Sequence, residues 1–257
     1  MQSKLNKLAI CAGILFLSLI VVLSTVFTQK KIQAADHRII NRIYTKQKVI
    51  ALTFDADMTP KMKKELATGE IMSWYDEKII KLLEQNSIPA TIFVTGLWAQ
   101  TYPDIIKELS RNSLFEIENH TFDHAAFKTP CYKLSQAQNK KDEILKTQAI
   151  LTELTGHVPK YFRFPGGCFS KQDIDLVNKL GLIVAGWDVN SGDAFLRHRK
   201  SIINGVLSKS RNGSIIIMHI SGGPKAPLTA DVFPEILKGL KQRGFLFVTL
   251  DQLLNHN

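Results

Sequence analysis

The sequence predicts an α/β protein, a distorted (β/α)7-type barrel preceded by an N-terminal transmembrane helix. Three observations predict it: seven apolar runs of strand length, amphipathic stretches with helical period between them, and one long uncharged run near the N-terminus. The 257 residues are 45% hydrophobic and 22% charged, which is ordinary for a globular protein. This composition excludes a disordered chain, a collagen-like repeat and a disulfide-dense mini-protein.

The N-terminal segment is typical of a membrane signal. Residues 8–28 carry no charge, and about 20 apolar residues span a bilayer as a helix. Lys4 and Lys7 precede this run, so residues 1–7 should stay in the cytoplasm and the rest should cross. We therefore expect a signal anchor at 8–28, followed by a linker at 29–48.

A cleaved signal peptide is the alternative for the same segment. Its apolar region is usually about 7–15 residues long, which favours the anchor. Small residues at 32–35 nevertheless offer a peptidase site. The expected location is the cell membrane, single-pass with the large domain outside the cell, or the medium if residues 1–35 are removed.

One domain at 49–254 accounts for the rest of the chain. Its strands read as nearly continuous apolar runs, typical of strands buried on both faces, and their alternation with helices favours a parallel sheet. The predicted strands are 49–54, 90–95, 115–119, 161–164, 182–189, 214–219 and 245–250. The predicted helices lie near 74–85, 103–111, 134–155, 171–180, 199–210 and 231–242.

The charge of this domain is a weak indicator of its partner. The chain has a net charge of +10, but no acidic residue precedes Asp36, and the four lysines before it leave 29 basic against 23 acidic side chains, a net charge of +6. This suits an anionic surface or polymer, although a solvated basic surface without a partner is equally consistent. No basic cluster interleaved with aromatic residues indicates nucleic acid.

Ionisable residues follow five of the seven predicted strands. In barrels of this kind the chemistry lies at the carboxyl ends of the strands, so these side chains should meet at one rim. They are Asp55 and Asp57, His120 and His124, Arg163, Asp188 and Asp193, and His219. For Asp188, a turn or helix-capping role is as consistent as a place in the site.

The spacing of His120 and His124 indicates a metal site. On a helical turn, positions i and i+4 share one face and could bind one ion, with Asp55 or Asp57 as a carboxylate ligand. Two histidines and one carboxylate leave positions open for water and substrate. Hydrogen-bonded histidines without a metal are the alternative. His219 could protonate a leaving amine, or could be a buried structural histidine.

Five segments in order resemble the motifs of the polysaccharide deacetylases, the NodB-homology group or carbohydrate esterase family 4. They are TFDADMTP (53–60), NHTFDH (119–124), RFPGG (163–167), WDVNSGD (187–193) and IIIMH (215–219). The resemblance implies a barrel of about seven strands that removes N-acetyl groups from amino sugars. It also implies a divalent metal cofactor, often Zn²⁺, with Co²⁺, Ni²⁺ or Mn²⁺ as alternatives.

The resemblance also assigns roles to particular residues. It implies that His120 and His124 bind the metal and that Asp55 is the catalytic base. It further implies that Arg163 orients Asp55, that His219 is the general acid and that Asp193 tunes His219. We expect the substrate to contact four residues: Pro165, Gly166, Trp187 and Phe195.

Two departures from the family pattern bear on the site. The first motif usually has a second, metal-binding aspartate next to the first, but here Ala56 fills that position and Asp57 follows it. Our hypothesis is that Asp57 completes the metal site, re-aimed by a bulge at the strand end. A tryptophan usually follows the aspartate of the fourth motif, where this chain has Ala194 and then Phe195.

The predicted function is a metal-dependent deacetylase of an N-acetylated cell-surface glycan. Peptidoglycan is the first expectation, with chitin-like or poly-N-acetylglucosamine chains next. The alternatives are a hydrolase of other amides or O-acetyl esters, and a catalytically silent glycan-binding protein. We expect a monomer. Cys131 and Cys168 could form one disulfide or stay separate thiols, and the sequence does not decide between them.

Overall fold

The computed structural model describes residues 39–255, and within them the chain forms one parallel sheet surrounded by helices. The strands are β1 (Val49–Ala56), β2 (Ala90–Val94), β3 (Phe115–Asn119), β4 (Tyr161–Phe162), β5 (Ile183–Val184), β6 (Val189–Asn190), β7 (Ile215–His219) and β8 (Leu246–Val248). The helices are α1 (Pro60–Ala67), α2 (Glu77–Gln85), α3 (Gly96–Thr101), α4 (Pro103–Arg111), α5 (Lys140–Thr155), α6 (Lys171–Lys179), α7 (Arg199–Lys209), α8 (Thr229–Gln242) and α9 (Leu250–Asn255).

The strand order is β5-β4-β3-β2-β1-β7-β6, with β8 paired to the start of β1. All of these pairings are parallel, so the carboxyl ends of the strands meet at one rim and the predicted parallel α/β architecture is confirmed. The predicted count of seven strands was wrong. The run at 182–189 forms two short strands, because the chain passes from β4, which β5 pairs with, to β7, which β6 pairs with.

Alternation along β1 separates the two environments of the barrel wall. The even-numbered residues from Ile50 to Ala56 belong to the hydrophobic core shared with the surrounding helices. Val49 and Ala51 belong instead to a second cluster, with residues of β7, β8 and α9. Since successive strand residues point to opposite faces, Asp55 continues the face of Val49 and Ala51. The same rule extends that face to Asp57, one residue beyond the strand.

A short segment bridges the gap between β5 and the start of β7. Residues 39–43, which we call the strap, contact both sides of it. The Ile40 amide donates to the Val184 carbonyl at 2.9 Å, and the Ile43 amide donates to the Gly213 carbonyl at 2.9 Å. The sequence assigns this segment to the linker, but its main-chain hydrogen bonds make it part of the packed domain.

One helix begins later than predicted, because the residues before it form main-chain hydrogen bonds with another loop. The stretch predicted as helix from 134 begins as α5 only at Lys140, capped by the Asn139 side chain. Residues before it pair instead with Ala126, whose amide donates to Ser135 and whose carbonyl accepts from Ala137. Three helices were not predicted, α1, α3 and α9, because they are too short to show a helical period in the sequence.

The predicted membrane segment lies outside the described residues. This holds for the n-region at 1–7, the apolar run at 8–28 and the peptidase site at 32–35. Within 39–255, no helix combines the length and the apolar character needed to cross a bilayer.

Candidate active site

Asp55 and Asp57 lie together at the rim end of β1, where both carboxylates are buried. Asp55 Oδ2 lies 3.5 Å from His120 Nε2, and Asp57 Oδ1 lies 3.4 Å from the same nitrogen. Ala56 points the other way, into the helix-side core. The bulge expected from the sequence is absent, because the register of β1 against β2 continues unbroken to Ala56. Simple alternation is sufficient to place Asp57 in the site.

His120 and His124 lie on an irregular loop after β3, so the predicted helical turn was wrong. Left-handed backbone at Thr121 (φ 70°) and His124 (φ 63°) folds the loop back, and the two imidazole centroids lie 5.0 Å apart. Non-glycine residues adopt this conformation rarely, and such outliers cluster at functional sites. Glu143 of α5 holds the loop from outside by accepting hydrogen bonds from the amides of Phe122 and Asp123.

The hydrogen bond of His120 fixes which of its nitrogens faces the site. Its Nδ1 lies 2.8 Å from the Arg163 carbonyl oxygen, which can only accept, so Nδ1 carries the proton. Nε2 therefore faces Asp57 and is the nitrogen available to bind a metal. This orientation by a backbone carbonyl is typical of histidines that bind metals.

Asp57, His120 and His124 form a donor set suited to a divalent metal. Their ligand atoms all lie within 4.8 Å of one another, and His124 Nε2 is 3.3 Å from Asp57 Oδ1. Asp57 Oδ2 pairs with a lysine ammonium at 2.9 Å, but buried Oδ1 accepts no hydrogen bond, which is costly unless a cation binds there. Burial lowers the pKa of His124 well below its usual value, so its imidazole is neutral and able to bind a metal. One carboxylate and two imidazoles fit a catalytic zinc site.

Lys225 is a residue of the site that the sequence analysis missed. Its Nζ lies 2.9 Å from Asp57 Oδ2. Burial would raise the pKa of Asp57, but the Lys225 ammonium and the imidazoles around this carboxylate outweigh burial and hold that pKa well below its ordinary value. Its position in the sequence could have indicated a place in the site, because Lys225 lies in the loop that follows the same strand as His219.

Arg163 anchors Asp55 from below. Its guanidinium is fully buried and donates to Asp55 Oδ1 at 2.6 Å and to Thr53 Oγ1 at 2.9 Å. The ring of Phe93 lies under the guanidinium, 3.9 Å from its carbon. The charged hydrogen bond holds one oxygen of Asp55 and leaves the other facing the cleft.

His219 and Asp193 form the opposite side of the site. His219 Nδ1 donates to Asp193 Oδ1 at 2.8 Å, and Thr229 and the His219 amide donate to Asp193 Oδ2. Burial would lower the pKa of His219, but Asp193 outweighs it and raises that pKa to about 9. His219 is therefore protonated at neutral pH, with Nε2 4.0 Å from Asp57 Oδ2.

A cleft of about 250 Å³ opens above these groups, and its walls include most of the residues predicted to bind substrate. Gly166, Trp187 and Phe195 line it. Pro165 is buried beside Gly166 and is not among the residues that line the cleft, so its substrate contact stays a prediction. Tyr132, which the sequence did not indicate, stacks on Phe195 at 5.2 Å across the mouth.

A disulfide joins Cys131 to Cys168 and resolves the open question from the sequence. It links the loop that carries Tyr132 to the segment after Gly166. Asp188 lies away from the site, at the start of β7, where its carboxylate accepts from the Ile215 amide and the Ser214 hydroxyl. Asp188 thus has the turn role that the sequence left open.

The comparisons with known proteins agree with this geometry. The family model described as polysaccharide deacetylase matches residues 42–185. A peptidoglycan-N-acetylglucosamine deacetylase of Bacillus cereus is 30% identical over 179 residues, covering 70% of this chain and 63% of the relative. The chain therefore spans less than two thirds of that relative's length.

Two solved structures have the same fold. The Bc1960 peptidoglycan N-acetylglucosamine deacetylase superposes with a TM-score of 0.68 at 26% identity, covering 83% of this chain and 91% of that one. BA3943 of Bacillus anthracis, described as a CE4 family pseudoenzyme, superposes with a TM-score of 0.67 at 20% identity, covering 85% of this chain and 69% of that one. The second likeness concerns the fold alone.

Proposed function

Since the chain belongs to the polysaccharide deacetylase family, we propose that it removes N-acetyl groups from amino sugars of a cell-surface polysaccharide, with peptidoglycan as the first substrate. One observation carries the proposal. The donor set of Asp57, His120 and His124 lies between a fixed carboxylate, Asp55, and a protonated imidazole, His219. Amide hydrolysis needs an acceptor for the proton of water and a donor for the leaving amine, and these two groups supply them.

A divalent metal, Zn²⁺ first among the candidates, would bind to Asp57, His120 and His124. When bound, it would act as a Lewis acid on the acetyl carbonyl and lower the pKa of water at the site. The carboxylate of Asp57 and the two imidazoles provide the oxygen and nitrogen ligands that zinc accepts.

Asp55 accepts the proton of the attacking water. Arg163 and Thr53 hold its position, and Oδ2 is the oxygen left free to take the proton. Because the guanidinium binds Oδ1 at 2.6 Å, Asp55 cannot rotate away from the cleft when it is protonated. Holding a base in the orientation that the reaction needs raises the reaction rate, and this ion pair would contribute in that way.

His219 protonates the departing nitrogen. Nδ1 is committed to Asp193, so the proton at Nε2 faces the cleft. The bond between the acetyl carbon and the nitrogen then breaks, the sugar leaves as a free amine, and the acetyl group leaves as acetate. Asp193 holds the imidazole in one orientation through this transfer.

Peptidoglycan is preferred because two similar proteins carry that substrate in their names, one of them 30% identical. A basic domain also suits an anionic wall. The altered first motif was the best sequence argument for a catalytically silent protein. The position of Asp57 beside both histidines removes the basis of that argument.

Acetate release from defined substrates tests the proposal. The substrates are purified peptidoglycan, N-acetylglucosamine oligomers and an O-acetylated glycan, each with zinc, with a chelator, and with zinc restored. We expect acetate from peptidoglycan, loss on chelation and recovery with zinc. Release only from the O-acetylated glycan would mean that the protein hydrolyses esters and not amides. If zinc is bound and no glycan releases acetate, the proposal that the protein is a deacetylase is rejected.

We also propose that the domain works outside the cell, held by the segment at 8–28. Fractionation with protease protection tests this. A membrane-associated chain whose large domain is digested from outside supports it, whereas a protected chain contradicts it.

A further inference from the structure

The strap makes an unexpected connection to the catalytic centre. The Gly186 amide donates to the Ile40 carbonyl at 2.9 Å, so the strap holds the turn between β5 and β6 by its main chain. The Gly186 carbonyl in turn accepts from Arg163 Nη2 at 3.2 Å. Arg163 Nη1 donates to Asp55 Oδ1 at 2.6 Å. Three successive hydrogen bonds therefore join a segment that precedes β1 to the proposed base.

The contact between the strap and the turn is close. A Cβ atom on Gly186 would lie 2.1 Å from Asn41 Oδ1 and 3.0 Å from Ile39 Cγ2, so a side chain there would displace the strap's own side chains. Ile40 and Ile43 also pack against the cluster of Val49, Ala185 and Ile215 in the barrel. Main-chain bonds and apolar contacts thus fix the strap on the side where the edge strands do not pair.

The geometry of the turn decides where Arg163 points. Its guanidinium also lies 3.5 Å, through Nε, from the Ala185 carbonyl, so two successive carbonyls of the turn receive its hydrogens. A buried guanidinium needs all of its donors satisfied, and it follows acceptors that move. A shift of the turn would therefore shift the bond from Arg163 to Asp55.

We propose that the strap positions the catalytic centre: Ile40 holds Gly186, Gly186 holds Arg163, and Arg163 aims Asp55. The inference rests on the proposed deacetylase function and adds residues that the family motifs do not include. Ile40 and Gly186 act through Arg163 and are positioning residues. The ordinary alternative is that the strap only fills a gap in the barrel wall and contributes stability.

A matched pair of variants in the full chain separates the two roles. Ile40→Ala and Leu254→Ala each shorten a partly buried aliphatic side chain that packs against the same cluster, but Leu254 lies on α9 and has no hydrogen bond to the turn. We expect Ile40→Ala to lower kcat about 10- to 100-fold with KM and zinc affinity unchanged, because the base is misplaced. Leu254→Ala should lower Tm by a similar amount and leave kcat within about twofold of wild type. Equal kcat in the two variants, or equal losses, would overturn the proposal.

Two further measurements keep the test decisive. Hydrogen exchange of the Gly186 amide reports how far each variant detaches the strap, and kcat should fall as that protection falls across Ile40→Val, Ile40→Ala and Ile43→Ala. The milder Ile40→Val serves if Ile40→Ala does not fold. A kcat that does not follow the protection contradicts the inference.

The NMR signals of the Arg163 guanidinium need no substrate. They should broaden in the same order as the Gly186 amide loses protection. If wild type releases no acetate, the deacetylase function fails by itself. These signals would still test whether the strap positions Arg163. Unchanged guanidinium signals in Ile40→Ala would contradict that claim.

Discussion

The floor and the rim of the cleft are built differently. On the floor, Asp55, Asp57 and His120 are 1–3% exposed and project from strand ends or the turn beside them. On the rim, Tyr132 is 65% exposed and Phe195 is 59% exposed, and both lie on loops. The floor carries the groups that we propose take part in the reaction, and the rim carries aromatic side chains without an ionisable group for it. We therefore expect changes on the floor to act on kcat, and changes on the rim to act on KM or on stability.

The contrast also explains how the floor tolerates an altered motif. Ala56 faces the helix-side core, so a carboxylate at that position would be buried among apolar side chains here. Asp57 returns to the face of Asp55 after one further residue. In this chain the register of a strand, rather than adjacency in sequence, assigns the metal-site carboxylate.

The largest effect should come from Asp55→Asn. The amide can still accept from Arg163, but it cannot take a proton from water, so kcat should fall about 10²- to 10⁴-fold. Steady-state acetate release measures it, with zinc content and Tm as checks. Asp104→Asn, at a side chain that is 95% exposed, is the control and should be neutral. An Asp55→Asn enzyme within twofold of wild type would remove Asp55 from the role of base.

Removing the disulfide should affect stability more than chemistry. The bond between Cys131 and Cys168 closes 37 residues, and the chain-entropy model gives such a loop about 4 kcal/mol. Cys131→Ser/Cys168→Ser should lower the free energy of unfolding by up to that amount. Since the bond lies on the rim side, kcat should change less than twofold while KM rises. A large loss of kcat at full zinc occupancy would break the distinction between floor and rim.

The ion pair of His219 and Asp193 gives a pH dependence. The pKa of His219 is raised from 6.5 to about 9, so the pair's contribution is full below pH 6.5 and is lost as pH rises through 9. The shift corresponds to at most about 3 kcal/mol of unfolding free energy. Denaturant titrations of the chelated protein at pH 6 and pH 10 measure it. Asp193→Asn should abolish most of this dependence, and an unchanged dependence would exclude the pair as its source.

The smallest effect should come from the rim aromatics. Each ring exposes a face that a sugar can contact, and losing that face should weaken binding by about 1 kcal/mol, so Tyr132→Ala or Phe195→Ala should raise KM for an oligosaccharide about 3- to 10-fold. Turnover should stay within about twofold. Assays on oligomers of increasing length would locate the contact, and an effect on kcat alone would place these rings with the reacting groups instead.

The sequence predicted the fold and most of the floor for a physical reason. Buried parallel strands leave long apolar runs, and polar residues at the ends of those runs then mark the floor of the cleft. The loop of His120 and His124 was mistaken for a helix because the i, i+4 spacing also suits left-handed turns. The rim was harder still. Tyr132 reaches Phe195 through loop geometry and a disulfide, and neither leaves a period in the sequence.

The strap was missed for a related reason. Its residues pair singly with the edges of the sheet, which gives no strand pattern, and they looked like a linker beside the apolar segment. Lys225 was also not predicted to lie in the site. A lysine after two glycines and a proline suggests a solvent-exposed loop, whereas its ammonium pairs with the buried carboxylate of Asp57.

A structure of the zinc-loaded protein at the zinc absorption edge tests the central claim most directly. The account predicts one anomalous peak in the cleft, with Asp57, His120 Nε2 and His124 Nε2 at about 2.0–2.2 Å from the ion. Asp55 should stay on Arg163. An ion bound without Asp57, or no ion between the two histidines, would contradict the account.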